Sequence, residues 1–79
     1  MAPTVFRESG FRFFFFSREE AKMHVHVSHA DGEAKFWLEP EISLARSVGL
    51  DEQQLRQIRK LIEVREDEIR NAWQQHFGS

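Results

Sequence analysis

Two histidines spaced i and i+2, His24 and His26, stand in the alternating stretch His24–Glu39, HVHVSHADGEAKFWLE. Residues two apart on a strand project to the same face, so this spacing sets two imidazoles side by side. Asp31-Gly32 is the sequence of a tight hairpin turn, because both residues tolerate positive φ cheaply. Counting outward from that turn places His24 opposite Glu39, His26 opposite Trp37 and Ser28 opposite Lys35. Two imidazoles and a carboxylate could hold a divalent metal or act as base and acid in phosphodiester cleavage, with Lys35 facing the anion. His24, His26, Glu39 and Lys35 are therefore the catalytic candidates, and His24, His26 and Glu39 the metal candidates. The plainer reading, which is preferred, makes them half-exposed strand residues packed beside Trp37, with no cofactor. His29 is expected on the core side near the strand end, and His76 as a cation at a helix terminus.

The elements that would position these residues follow from pattern. Pro3–Arg7 reads as a first strand, Glu8-Ser9-Gly10 as a turn and Phe11–Ser17 as a second strand. That second strand has Phe11, Phe13 and Phe15 on one face and Arg12, Phe14 and Phe16 on the other, as a central strand covered twice would. Arg18–Lys22 is a polar connection, and Pro40 ends the hairpin. Within Glu41–Leu50, Ile42 and Leu44 alternate like a short edge strand, which is favoured over a helical turn, and Gly49 marks a break. Asp51 with Gln54 forms a capping box, and Leu50 with Leu55 a hydrophobic staple. Leu55, Ile58, Leu61, Ile62, Ile69, Ala72, Trp73 and Phe77 then lie on one helical stripe. The expected fold is α+β: an antiparallel meander of four to five strands within residues 3–45, with a long helix over about 51–77 packed on one face. A straight helix of that length would run to roughly 40 Å. It must either bend near Val64–Asp67, split into a helical hairpin, or overhang with Trp73 and Phe77 exposed to a partner.

Composition narrows the function classes. The 79 residues suit one domain, and they include eight Phe and two Trp but no Cys, which excludes disulfides, thiolate zinc sites and cysteine nucleophiles. Residues 1–48 carry six Lys/Arg against seven acids, and residues 49–79 five against six. No basic tail exists, so nucleic-acid binding is weakly supported, although a local basic patch is compatible with these totals. Nothing resembles a signal peptide, and FRFFFF is too short to span a bilayer, so a cytoplasmic protein without a membrane partner is expected. The sequence contains no Gly-rich phosphate loop, nucleophile elbow, His-Glu-x-x-His or zinc-finger spacing.

Several of these features, taken in order, resemble the small bacterial proteins grouped as Domain of Unknown Function 4160. They are PTVFR at Pro3–Arg7, an aromatic second strand, the His24/His26 pair, the hairpin to Trp37, and Asp67-Glu68-Ile69 followed by Trp73. Where many members have an acidic-His-x-Pro-Pro stretch, this chain has Arg18-Glu19-Glu20-Ala21-Lys22-Met23. The resemblance implies a protein often encoded beside a second small domain of unknown function, in some cases as part of a toxin–antitoxin-type gene pair.

If Val25, Val27, Phe36 and Leu38 meet the helix, Trp37, His24 and His26 lie on the opposite face with one Phe set of the second strand. Partner-binding candidates are therefore Trp37, Phe14, Phe16 and Arg12 on the sheet, and Trp73 and Phe77 at the helix end. Such a face suits a protein partner or homodimer, unless residues 41–50 cover it. The expectation is a protein-interaction module, with a toxin–antitoxin-like component as its more specific form. Its alternatives are an RNase-like or metal-binding enzyme using His24 and His26, and a nucleic-acid binder using aromatic rings as stacking platforms.

Overall fold

The structure is a computed structural model that describes residues 4–16 and 22–78. Strands β1 (Thr4–Glu8), β2 (Phe11–Phe14), β3 (His24–His29), β4 (Gly32–Trp37) and β5 (Ser43–Val48) precede helices α1 (Glu52–Val64) and α2 (Glu66–Phe77). The strands form one antiparallel sheet in the order β1-β2-β3-β4-β5, so the expected α+β meander has five strands. Residues 41–50 resolve in favour of the strand. They supply the edge strand β5 beside β4 and do not lie over the open face.

Side-chain alternation gives the sheet two unlike faces. Phe6, Phe11, Phe13, Val25, Val27, Ala34 and Phe36 point to one side, where they join Phe15, Leu38, Ile58, Ile62, Ile69 and Trp73 in a buried cluster. Large rings fill most of that volume, which is how so short a chain closes a core. Phe6 and Phe13 stack at 4.3 Å between centroids across β1 and β2.

The turn of the first hairpin, Ser9-Gly10, has both central residues at positive φ, 56° and 83°. The second hairpin departs from expectation. His29 pairs with Gly32, so the two-residue loop is Ala30-Asp31 instead of Asp31-Gly32. The reason lies outside the hairpin. A Cβ on Gly32 would stand 2.0 Å from the Val48 carbonyl oxygen and 2.9 Å from Gly49, so Gly32 is required where the β5–α1 connection crosses the turn. Moving the loop by one residue moves the pairing by two, which changes every cross-strand partner but leaves every side chain on its expected face.

Helix α1 starts as its sequence dictates. The Asp51 carboxylate accepts from the Gln54 N–H at 2.8 Å, and the Gln54 side chain accepts from the Asp51 N–H at 3.0 Å. Gln54 Nε2 also donates to Asp31 at 2.8 Å, tying the hairpin turn to the helix start. The long helix is broken at one residue, Arg65, with φ −108° and ψ 25°. An unbroken helix of some 39 Å would exceed the molecule's longest dimension, 34 Å. Arg65 is held where the stripe fails: its guanidinium contacts Glu8 at 2.7 Å, Glu68 at 3.2 Å, and lies 4.3 Å over the Phe6 ring. One residue leaves no loop for a helical hairpin.

Candidate binding face of the sheet

The second face is organised in rows across the strands. Thr4, Phe14, His26, Lys35 and Arg46 are successive register partners from β1 to β5. Arg7, Arg12, Ser28, Glu33 and Val48 form the next row. A third row pairs His24 with Trp37 and Trp37 with Ser43. Phe14 and Phe16, with Arg12, are therefore the Phe set that joins His26 and Trp37, while Phe11, Phe13 and Phe15 belong to the core.

Aromatic and cationic groups interleave on this face. The His26 ring lies 5.6 Å from Phe14 and meets Phe16 edge-on at 4.3 Å. The Arg12 guanidinium sits 4.4 Å over Phe14 and donates to Thr4 Oγ1 at 2.8 Å. Lys22 and Lys35 each place Nζ 4.4 Å from the centre of the Trp37 ring. Arg46 approaches Glu33 at 3.7 Å. A shallow hollow of about 50 Å³ opens among Phe14, Phe16, His26, Lys35, Arg46 and Val48. Phe16 and Val48 are 47% and 62% exposed, so apolar surface flanks the hollow. Among the described residues no helix or strand crosses this face, yet Phe14 on it is buried, as the two-sided apolar pattern of β2 leads one to expect.

The histidine constellation is rearranged. Trp37, not Glu39, stands opposite His24, and Lys35, not Trp37, stands opposite His26. The Glu39 carboxylate accepts from the Met23 N–H at 3.3 Å. His24 is fully buried, in contrast to its expected half-exposed position. Its ring packs 5.4 Å from Trp37, 5.3 Å from Trp73 and 5.0 Å from His26, and its Nδ1 bonds to the Lys22 carbonyl at 2.7 Å. No three donors that could hold a metal are grouped among the described residues. His29 falls on the core side as expected, stacked 4.7 Å from Phe11, with Nδ1 accepting from the Asp31 N–H at 3.1 Å. His76 lies in the last turn of α2 beside Phe77.

Trp73 and Phe77 do not overhang. Trp73 is buried against Phe15 at 5.3 Å, and Phe77 packs on Trp73 and Phe15 at 4.3 and 5.8 Å. The bend at Arg65 brings them back to the core, where Trp73 is buried and Phe77 half-buried. Sequence reading missed Arg7, Lys22, Arg46 and Val48 as members of the open face. The alternation Leu44-Ala45-Arg46-Ser47-Val48 carried that signal, but placing Arg46 beside Lys35 needs the β4–β5 register and its bulge.

The family described as Domain of unknown function (DUF4160) matches residues 10–74 of the 79-residue chain. The protein belongs to that family. No curated protein and no solved structure matches. No helix among the described residues is long and apolar enough to cross a membrane.

Proposed function

We propose that this chain is a cytoplasmic protein-interaction module, one half of a toxin–antitoxin-like pair, whose partner docks on the open sheet face. The observation that carries this reading is the one-sidedness of the sheet. Its helix face is a closed aromatic core, while its other face exposes Phe16 and Val48 around a hollow rimmed by Lys35 and Arg46. Apolar side chains ringed by polar ones are the anatomy of a protein interface. The enzyme reading has less support, because His24 is buried and Glu39 is turned to the Met23 N–H, so the expected His24/His26/Glu39 group is not assembled.

Light scattering tests the proposal on the purified chain alone and co-expressed with the product of the adjacent gene. The expected result is a defined dimer or heteromer that the Phe16→Glu variant does not form. A strict monomer under both conditions overturns it.

A further inference from the structure

We infer that a second copy of this chain pairs with the outer edge of β5, antiparallel and about a two-fold axis, so that one sheet runs through both molecules. This surface is separate from the open face, and three observations lead to it. The first is that the two edges of the sheet are treated differently. At β1 the joint between the helices closes in: Arg65 binds Glu8 and lies over Phe6. At the other end, among the described residues, no backbone hydrogen bond joins Ser43–Val48 to any element but β4. A six-residue edge strand presents a row of N–H and C=O groups that another strand can pair with.

The second is a hollow beside that edge. On the helix side of the sheet, a space of about 210 Å³ opens between Leu44 on β5, Phe36 on β4 and Leu55 on α1, with Glu52, Arg56 and Arg59 on its α1 wall. Leu44 is 44% exposed there. The single charge of β5, Arg46, approaches Glu33 at 3.7 Å and faces the other side of the sheet. Strand addition draws affinity from the backbone ladder and specificity from pockets for alternate side chains, and here the two adjoin.

The third observation selects the occupant. The charges on the α1 wall are already matched, Glu52 with Arg56 at 3.7 Å and Arg59 with Glu63 at 3.5 Å. Such a wall gives no charge preference to a nucleic acid or to a strongly acidic or basic peptide. A copy of the same wall fits it. A two-fold axis normal to the sheet keeps both helix faces on one side and sets the two α1 helices antiparallel across the seam. The order Glu52, Arg56, Arg59, Glu63 reads the same from either end, so a copy displaced by one turn meets acid with base. Exposed pairs of this kind exchange partners at little cost. The two hollows join at the seam, and the two Leu44 side chains fill them.

Sedimentation equilibrium of the purified full chain provides the test. A monomer–dimer equilibrium is expected, weakened at least about tenfold in Leu44→Glu, which places a carboxylate in the hollow. Leu44→Ser, checked for a parental circular dichroism spectrum, guards against loss through misfolding and should weaken the dimer likewise. Val64→Glu, at an exposed apolar residue at the far end of α1, should leave it unchanged. The chain has no cysteine, so single cysteines report contact. Ala45→Cys on β5 is expected to form an intermolecular disulfide faster than Thr4→Cys on β1, although Thr4 is the more exposed position. The inference is overturned by a monomer at every concentration, by a dimer that Leu44→Glu leaves intact, or by faster cross-linking at Thr4→Cys. A chain monomeric alone, whose complex with the adjacent gene's product is lost in Leu44→Glu, would assign β5 to a foreign strand and also overturn it. The open-face reading fails separately, because Phe16→Glu should abolish the docked complex and leave the β5 dimer in place.

Discussion

The two faces of the sheet are made from the same strands and differ in nearly every property. On the helix side, Phe13, Val25, Val27 and Leu38 are fully buried. On the other side, each strand contributes a cation or a polar group beside a ring, and Phe16 and Val48 are exposed. Successive residues thus face opposite sides: Phe36 is buried in the core while Trp37 is half-buried among cations. A chain this short closes one hydrophobic face with its helices, and among the described residues the second carries cations and polar groups between its rings.

That contrast can be broken most severely from the core side. Phe13→Ala should cost about 3–5 kcal/mol, because the ring is fully buried and its stacking partner Phe6 loses its neighbour; urea denaturation followed by circular dichroism measures it. The next largest effect belongs to the crossing between the hairpin turn and β5. Gly32→Ala sets a methyl group against the Val48 carbonyl and should destabilise by about 1–3 kcal/mol, read from the urea midpoint. Asp51→Ala removes one arm of the capping box and should cost about 1 kcal/mol in the same assay. The smallest effect sharpens the comparison from the other face. Lys35→Ser should shift stability by about 0.5 kcal/mol, since it removes a surface contact with Trp37 and no core packing.

Elements with local causes were legible in the sequence. The capping box, the Leu50/Leu55 staple, the apolar stripe and the Phe11/Phe13/Phe15 division depend on residues near one another in the chain, and all are present. The ion pairs Glu52–Arg56, Arg59–Glu63 and Glu66–Arg70 were likewise readable from i,i+4 spacing. Features set by distant chain were not legible. Gly32 carries a turn signal, yet it is needed for close approach by residues 48–49, which shifts the hairpin by one position. His24 reads as a surface imidazole by alternation, and only the bend at Arg65 brings Trp73 against it. The candidate site divides the same way: face membership of Phe14, Phe16, His26 and Trp37 follows from period two, while Glu39 was assigned opposite His24 from the misplaced turn.

The most direct measurement is the urea unfolding midpoint of a Phe16→Ser/Lys35→Ser/Arg46→Ser variant set beside that of Phe13→Ala. If the open face serves recognition alone, the triple variant unfolds within about 1 kcal/mol of the parent while Phe13→Ala falls by several. Comparable losses in the two would contradict that division, because the second face would then be holding the fold together as the first does.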